Sequence, residues 1–408
     1  MKAGIITLGC PRNSVDSDKF MYRLKNRGVR VTTPEKADVL IINTCGFIET
    51  AKKESIDVIQ HALSLKKKGK ISKVIAAGCL ISRYIKHLPE YLKGVDAFLG
   101  TIEDISPERI IPNPKHSAYI KIAEGCSNAC SYCAIPLIRG KLKSAPVKNI
   151  LDEVEFLNRN KVKEINITAQ DITSWGKDRY RNRNLTYLLK QIVKKAKNIR
   201  WIRLLYTHPK YVSKELIKLM AKEPKICKYI DMPIQHINSR ILKLMGRKIS
   251  RREIEDKIKI LREYIPGIAI RTTLITGFPT ERKEEFEELL DFVKEYKFRN
   301  LGAFIYSREE ETRAYSLRQV PEKVKKQRFH KLMTVQQEVS SELNKKLVGK
   351  DFDVIIDRRE NNYSFGRAYF QAYDIDGEII ILSKLRTGSF YKIRITDAYE
   401  YDLAGKLP

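Results

Sequence analysis

Residues 118–133 read AYIKIAEGCSNACSYC, and this stretch decides the fold. Its first six residues, 118–123, predict a β-strand, and Glu124 and Gly125 form the turn that follows. Three cysteines then come at positions 126, 130 and 133, so their thiols are expected in a loop at the carboxyl end of that strand. Ligands of open α/β sheets bind beyond the carboxyl ends of the strands. The stretch therefore predicts an α/β domain whose first strand leads into a thiol-rich site.

The spacing of Cys126, Cys130 and Cys133 favours an iron–sulfur cluster. Three thiolates suit a soft metal or an iron–sulfur cube. A structural zinc site needs a fourth ligand, usually from a second CxxC or a His pair, and the neighbouring sequence offers neither. A cube with three protein ligands keeps one iron open for a substrate. Zinc ligation or a purely structural role is the alternative.

Three earlier cysteines, Cys10, Cys45 and Cys79, are spaced by 35 and 34 residues. Each ends a short apolar run of the kind found in buried parallel strands. Thiols at the ends of three such strands can converge on one point although they are far apart in sequence. The alternative to one shared site is three buried, reduced cysteines at separate strand ends. Cys227 stands alone and is predicted to be a packed core residue.

The chain divides into three predicted domains, residues 1–111, 112–339 and 340–408. The first alternates strands and helices and predicts a parallel α/β domain. The second predicts six βα units, too few for an eight-stranded barrel, and hence an open partial barrel. After a charged helical stretch, the last alternates at strand period and predicts a small all-β barrel. The six strands of the middle domain are expected near residues 118–123, 163–169, 201–206, 228–233, 268–275 and 301–306.

The cysteine loop resembles that of the radical S-adenosylmethionine (SAM) superfamily. The resemblance implies that the open iron of a 4Fe-4S cluster holds SAM and that a 5′-deoxyadenosyl radical opens an unactivated C–H bond. Polar residues that follow the later strands are expected to hold SAM or substrate. These candidates are Gln170, Asp171, Arg203, Gln235, Arg271 and Gly277. His208 and His236 are the only histidines that we would test for catalysis.

The first three cysteines resemble the narrower methylthiotransferase family, in which they hold a second 4Fe-4S cluster. The segments Gly9–Ser17, Asn43–Ile48 and Glu400–Leu403 resemble the members that modify ribosomal protein S-twelve, including a C-terminal TRAM domain. The tRNA-modifying members usually have Gln-Met where this chain has Pro11-Arg12. The resemblance implies methylthiolation at the β-carbon of an aspartate. It also places Arg139 over the barrel cluster or the substrate carboxylate.

Two other functions remain open at this point. A tRNA adenosine methylthiotransferase would share the chemistry but not the partner. A zinc-bearing RNA-binding protein would have neither cluster nor SAM. Iron and sulfide analysis distinguishes the zinc-bearing protein from the two methylthiotransferases. The identity of the macromolecule that loses a methylthio group distinguishes the tRNA enzyme from the enzyme that modifies ribosomal protein.

The formal net charge of +29 suggests a polyanionic partner or polyanionic surroundings. Lysine-rich, solvated helix faces are the simpler explanation. Residues 340–408 carry 11 basic and 11 acidic side chains, which favours docking to a protein over a grip on phosphates. Direct RNA binding is left open. No long apolar run predicts a membrane span or secretory signal, so we expect a cytoplasmic protein. The radical SAM resemblance implies an electron donor such as flavodoxin or ferredoxin.

Overall fold

A computed structural model describes residues 1–102, 106–112 and 114–408. Within the first of these ranges, five parallel strands form a sheet in the order β2-β1-β3-β4-β5. The strands are β1 (Lys2–Thr7), β2 (Arg30–Val31), β3 (Val39–Thr44), β4 (Lys73–Gly78) and β5 (Ala97–Leu99). The helices are α1 (Pro11–Asn26), α2 (Glu49–Lys67), α3 (Cys79–Tyr84) and α4 (Leu88–Tyr91), with a 3₁₀ turn at Pro34–Lys36.

Three of these strands, β1, β3 and β4, were predicted, and each of them is followed by one of the three cysteines. The sequence pattern missed β2 and β5 because both are short edge strands of two and three residues. Edge strands bury less apolar surface than central ones, so their pattern is weaker. In contrast, every residue of the central strand β3 is buried, which explains its continuous apolar run.

A second, open sheet of six parallel strands follows among the described residues, in the order β13-β12-β11-β10-β9-β6. Its strands are β6 (Ser117–Lys121), β9 (Glu164–Thr168), β10 (Trp201–Leu204), β11 (Ile226–Asp231), β12 (Ala269–Thr276) and β13 (Asn300–Ile305). A small antiparallel pair lies beside the cysteine loop, formed by β7 (Ala123–Glu124) and β8 (Lys143–Ser144). All six predicted strands are present, so the expectation of an open partial barrel is confirmed.

Helices separate these strands and cover the outer face of the sheet. They are α5 (Ile135–Arg139), α6 (Val147–Arg159), α7 (Leu185–Lys195), α8 (Lys214–Lys222), α9 (Ser239–Leu244), α10 (Arg251–Tyr264), α11 (Lys283–Tyr296) and α12 (Glu322–Lys345), with 3₁₀ turns at Ile172–Ser174 and Pro209–Tyr211. Their apolar faces and the strands share one buried core. None of the helices in the described ranges is both long and apolar enough to cross a lipid bilayer.

The final residues, all of them described, form a closed barrel in the order β14-β15-β16-β18-β17. Its strands are β14 (Asp351–Glu360), β15 (Tyr363–Arg367), β16 (Ile379–Ile381), β17 (Phe390–Ala398) and β18 (Leu403–Lys406). The predicted all-β barrel is confirmed, but β18 was not foreseen because Leu403–Lys406 does not alternate clearly. This strand pairs in parallel with β16 and so closes the barrel.

The C-terminal barrel packs against the central sheet through a shared apolar core. Trp201 and Tyr229 of the sheet lie in this core with Phe370 and Ile393 of the barrel. Helix α12 runs from Glu322 to Lys345 and therefore crosses the proposed boundary at residue 340, so the three domain limits stay a prediction.

Candidate functional site

The three early cysteines lie at one edge of the first sheet. Cys45 directly follows β3, Cys79 directly follows β4 and begins α3, and Cys10 follows β1 after a two-residue turn. These three strands are neighbours in the sheet. The structure therefore brings the three thiols to the same edge, as parallel strand topology requires.

Close backbone approach holds these loops together. Gly9 has a φ of +89°, and a Cβ atom there would lie 2.9 Å from Cys45 Sγ, so only glycine fits. Asn13 connects the loops further, since its Nδ2 donates to the carbonyl oxygens of Leu8 at 2.9 Å and Thr44 at 3.1 Å. Direct contacts between the loops thus hold the cysteine edge together.

The later cysteine loop is supported from two other segments of the central domain. Ser131 N donates to Met245 O at 2.9 Å, and Ala314 N donates to Ser131 O at 2.8 Å. Ala129 has a φ of +54°, an uncommon conformation for a residue with a Cβ. Non-glycine residues in this region persist where the surroundings impose them, often at functional sites.

Arginines donate hydrogen bonds to a sulfur of each triad. Arg139, six residues after Cys133, donates to Cys79 Sγ from Nε at 3.3 Å and from Nη2 at 3.2 Å. Arg247 Nη1 lies 3.7 Å from Cys130 Sγ. The sequence-based expectation placed Arg139 over the barrel cluster or the substrate, whereas the structure places it on the first triad. It therefore links the two cysteine-bearing domains.

We call the contact region between these domains the cysteine seam; it comprises Asn13, Asp16, Cys79, Glu124 and Arg139. Arg139 Nη1 lies 2.7 Å from Glu124 Oε2 and 3.2 Å from Asp16 Oδ2. Its Nη2 donates to Asn13 Oδ1 at 2.6 Å. Two buried carboxylates thus neutralise this arginine, as buried charges require.

Lys121 is the second cation of the seam. It pairs with both Asp16 and Glu124. Burial raises the pKa of Glu124, but the charges of Lys121 and Arg139 more than offset this and lower it to about 2. The carboxylate is therefore ionised, and two cations face two carboxylates in a closed arrangement.

Arg12 also lies between the two triads. Its Nη1 donates to Ala169 O at 2.9 Å, and its guanidinium lies 4.7 Å from the centre of the Tyr206 ring. Its charge acts to lower the pKa of the thiols of both Cys10 and Cys133, one from each triad. The two triads therefore share one electrostatic environment.

The ionisation of the thiols differs within the first triad, and burial raises the pKa of a thiol in the second. Burial acts to raise the pKa of Cys10, but Arg12, two backbone N–H groups and Arg139 together lower it. Burial raises the pKa of Cys45 to about 11 and that of Cys133 to about 12, helped by neighbouring thiols. Loading iron onto these two cysteines must therefore release protons.

The donor sets fit iron–sulfur clusters better than a single metal ion. In the ranges that the structure describes, no three Cys, His, Asp or Glu side chains converge closely enough to hold one ion. A four-iron cluster does not need such convergence, because its cysteines bind separate irons. Each triad offers three thiols and a nearby arginine that donates to sulfur, which suits a negatively charged cluster.

Three predicted SAM contacts lie close to the cysteine loop or present unused polar atoms. Asp171 accepts a hydrogen bond from Asn128 Nδ2 at 2.7 Å, inside the loop between Cys126 and Cys130. Gln170 Nε2 donates to Glu124 at 2.7 Å, and its Oε1 is buried without a partner. Gln235 has a φ of +73°, and its Oε1 is also buried without a partner. Such orphaned acceptors are typical of ligand sites.

The other three predicted contacts have protein partners. Arg203 pairs with Glu164 at 3.0 Å and donates to Tyr369 O at 2.6 Å, which directs it toward the C-terminal barrel. Arg271 pairs with Asp231 at 3.0 Å. A Cβ on Gly277 would lie 2.4 Å from the Lys325 side chain, so this glycine permits packing against α12. Roles for these three in SAM binding stay predictions.

The histidines and the seventh cysteine lie in protein contacts. Burial, together with the charges of Arg247 and Lys177, lowers the pKa of His208 to about 2, so it is neutral. His236 Nε2 lies 3.6 Å from Glu281, and Cys227 is buried in the core under the C-terminal barrel. Sequence reasoning missed Arg247, because a single arginine after a glycine turn carries no spacing signal.

Three family models match successive parts of the chain, in the same order as its three main sheets. The sequence profile of the radical SAM superfamily matches residues 120–293. Residues 2–100 match the Uncharacterized protein family UPF0004, and residues 348–407 match the TRAM domain.

Solved structures support the fold. A radical SAM methyltransferase, TsrM, from Kitasatospora setae has a TM-score of 0.55 at 14% identity and covers 77% of this chain and 74% of its own. The cobalamin-dependent SAM radical enzyme OxsB has a TM-score of 0.52 at 11% identity and covers 83% and 56%. At these identities the similarity concerns the fold alone.

Curated relatives extend the similarity to nearly the whole chain. A protein of Thermoanaerobacter sp. is 44% identical over 99% of both chains, and one of Caldicellulosiruptor saccharolyticus is 42% identical over 100% of both. A protein of Christiangramia forsetii is 41% identical over 99% of this chain and 94% of its own. All three are named ribosomal protein uS12 methylthiotransferase RimO. With its two cysteine triads, three matching domains and full-length relatives, this chain belongs to the ribosomal protein uS12 methylthiotransferase (RimO) family of radical SAM enzymes.

Proposed function

We propose that this chain converts the β-carbon C–H bond of an aspartate in ribosomal protein uS12 into a C–S–CH3 group. The observation that carries the proposal is the meeting of two cysteine triads, from two separate sheets, at one interdomain seam. Arg139 joins them, since it follows the Cys126–Cys133 loop and donates to Cys79. Sulfur insertion needs both a radical source and a sulfur carrier within reach of the same carbon.

Radical SAM enzymes use an iron–sulfur cluster and SAM, and membership of the family gives this chain both. That two 4Fe-4S clusters bind here, one on each triad, is part of the proposal. When bound, the reduced cluster with SAM supplies the radical that opens an unreactive C–H bond. The arrangement of three thiols without a fourth protein ligand supports an open iron at each position.

The side chains around the two triads would hold these groups. Arg139 and Arg247 stabilise anionic sulfur through their N–H groups. Asp171 fixes the cysteine loop through Asn128. We assign the unpartnered Oε1 atoms of Gln170 and Gln235 as acceptors for N–H groups of SAM.

A protein loop can reach the seam at the open edge of the central sheet. Strand β13 forms that edge and carries Phe304 on the same face as Arg271, with the side chain 55% exposed. Phe47, also exposed, lies two residues after Cys45. Glu49 N donates to Ser307 Oγ at 3.3 Å, so each phenylalanine is within three residues of this interdomain contact. The two aromatic side chains therefore flank the route to the site.

The balanced charge of residues 340–408 supports docking of this barrel to a protein surface. The basic central domain would then face ribosomal RNA if the target is modified on the ribosome. Flavodoxin or ferredoxin as electron donor, the ribosomal encounter and a cytoplasmic location belong to this proposal.

Mass spectrometry of a strain that lacks the gene tests the function. We expect uS12 to lose the mass of one methylthio group while bulk tRNA keeps its modifications. Loss from tRNA with unchanged uS12 would instead identify a tRNA methylthiotransferase. Anaerobic reconstitution should yield about eight irons per chain, and tetrahedral zinc in place of iron would refute the mechanism.

A further inference from the structure

One cation at the site lacks an anionic partner. Among the described residues, Arg12 has no carboxylate within salt-bridge distance, and its Nε is buried without a hydrogen bond. Its hydrogen-bond and ring contacts among the described residues are the Ala169 carbonyl and the face of the Tyr206 ring, and its charge acts at longer range on Cys10 and Glu124. A half-buried guanidinium with no carboxylate in direct contact keeps N–H groups free for an anionic ligand.

The other arginines near the site each contact a carboxylate or a sulfur. Arg139 pairs with two carboxylates and donates to Cys79 Sγ, and Arg247 donates toward Cys130 Sγ. Arg271 pairs with Asp231 and with Asp376 of the C-terminal barrel. Among the described residues, Arg12 donates a hydrogen bond to no sulfur and forms no ion pair with a carboxylate, although its charge acts on Cys10 from a longer distance.

The position of Arg12 is set by rigid elements on both sides. It is the second residue of α1, and its donation to Ala169 O connects it to the end of β9 in the other domain. Tyr206, whose ring it contacts, has a φ of +60°, and its backbone N donates to Asp231 at 2.9 Å. The guanidinium is therefore held in place at the seam by both cysteine-bearing domains.

We propose that Arg12 binds the side-chain carboxylate of the acceptor aspartate and so selects an acidic residue of the protein substrate. This inference rests on the proposed function. A guanidinium can donate two parallel hydrogen bonds to a carboxylate, which fixes orientation as well as distance. The carboxylate carbon is bonded to the β-carbon, so holding it places the reacting C–H within one bond of a fixed point. The substrate would also supply the missing anion.

A double-mutant cycle measures this contact without turnover. Binding of uS12 to the anaerobically reconstituted chain is followed by calorimetry in the absence of SAM and reductant. Arg12→Gln should weaken binding of wild-type uS12 about tenfold and binding of uS12 with the acceptor Asp replaced by Asn less than twofold. Arg12→Lys should retain part of the affinity.

Arg308 supplies the matched control. It also contacts only a carbonyl, Tyr315 O at 3.0 Å, and the Tyr315 ring at 4.1 Å, but it is exposed. Arg308→Gln should weaken binding of both substrates equally or not at all.

Equal losses for the Asp and Asn substrates in Arg12→Gln would overturn the inference. So would a selective loss of SAM affinity, which would assign Arg12 to the SAM carboxylate. The function fails separately, if the wild-type chain leaves uS12 unmodified under turnover conditions.

Discussion

Two interdomain seams of this molecule are both charged and buried, but they differ in how completely their charged and polar groups are paired. The C-terminal seam, formed by His116, Glu164, Arg203, Asp357 and Arg367, joins the central sheet to the last barrel. Glu164 lies between Arg203 at 3.0 Å and Arg367 at 2.7 Å. Arg367 also pairs with Asp357, which lies 2.8 Å from His116 Nε2. Each charged group in this seam has an opposite partner.

The cysteine seam satisfies its carboxylates but leaves other groups open. Beside it, among the described residues, Arg12 has no carboxylate within salt-bridge distance, and Gln170, which donates to Glu124, buries an acceptor without a donor. Tyr206 and Gln235 adopt left-handed backbone conformations. Strain and unsatisfied polar groups collect where ligands are to bind. The C-terminal seam thus holds two domains together, whereas the surroundings of the cysteine seam offer groups to a ligand.

Removal of either cysteine triad should have the largest effect on iron content and activity. Replacement of Cys126, Cys130 and Cys133 by Ala should halve the iron to about four per chain and abolish SAM cleavage. The same change at Cys10, Cys45 and Cys79 should also halve the iron but leave SAM cleavage while abolishing methylthiolation. Iron analysis and chromatography of 5′-deoxyadenosine measure both results.

Cys227→Ala is the control, because this thiol is buried in the core of the C-terminal seam. It should keep about eight irons. If either triple variant retained the wild-type iron content, that triad would not be a cluster ligand set.

The sequence predicted the positions of the thiols because topology determines them. Parallel strands carry their carboxyl ends to one edge, so cysteines after β1, β3 and β4 had to meet. The six strands of the central sheet and the last barrel also followed from apolar periodicity. Family resemblance then supplied the chemistry.

The partners of the charged side chains could not be predicted in this way. Arg203 follows the pattern of a site residue, yet it pairs with Glu164 and with a carbonyl of Tyr369 in another domain. Arg139 likewise binds a sulfur 60 residues away. Such contacts depend on how the domains dock, which periodicity does not encode.

Glu164→Ala should have the second-largest effect, this time on the C-terminal seam. It leaves the buried guanidinium of Arg203 without an anion and leaves Arg367 with Asp357 as its remaining carboxylate. We expect a loss of about 3–5 kcal/mol in the free energy of unfolding, measured by denaturant titration. The matched control is Asp353→Ala, which removes an exposed pair with Arg200 at 2.6 Å between the same two domains. That change should cost about 0–1 kcal/mol, and equal losses would contradict the role assigned to Glu164.

Acid should weaken the same seam over a defined pH range. Burial alone would raise the pKa of Glu164, but Arg367 and Arg203 lower it to about 2. The group therefore stabilises the fold above its unfolded pKa of about 4.5, and this stability is lost as pH falls from 4.5 toward 2. We expect Glu164 to account for about 3 kcal/mol of the stability lost across this range, and Glu124, whose pKa is also lowered to about 2, to add its own part. In Glu164→Gln the free energy of unfolding should depend much less on pH across this range. An unchanged pH dependence would refute the role assigned to Glu164.

The smallest effect should come from Phe304, which lies on the open edge strand that runs between the two seams. Asn300 of this strand donates to Phe370 O of the C-terminal barrel at 2.9 Å, and Ser307, just beyond its end, meets the first domain. Because Phe304 is exposed, Phe304→Ala should leave the fold and the iron content intact. Loss of one aromatic contact with the entering protein loop should raise KM for uS12 about fivefold, or about 1 kcal/mol, with kcat little changed. Tyr91→Ala, at a more exposed aromatic residue in α4, should leave KM unchanged. A fall in kcat with constant KM would mean that Phe304 affects the reaction at the cysteine seam rather than binding of the protein substrate.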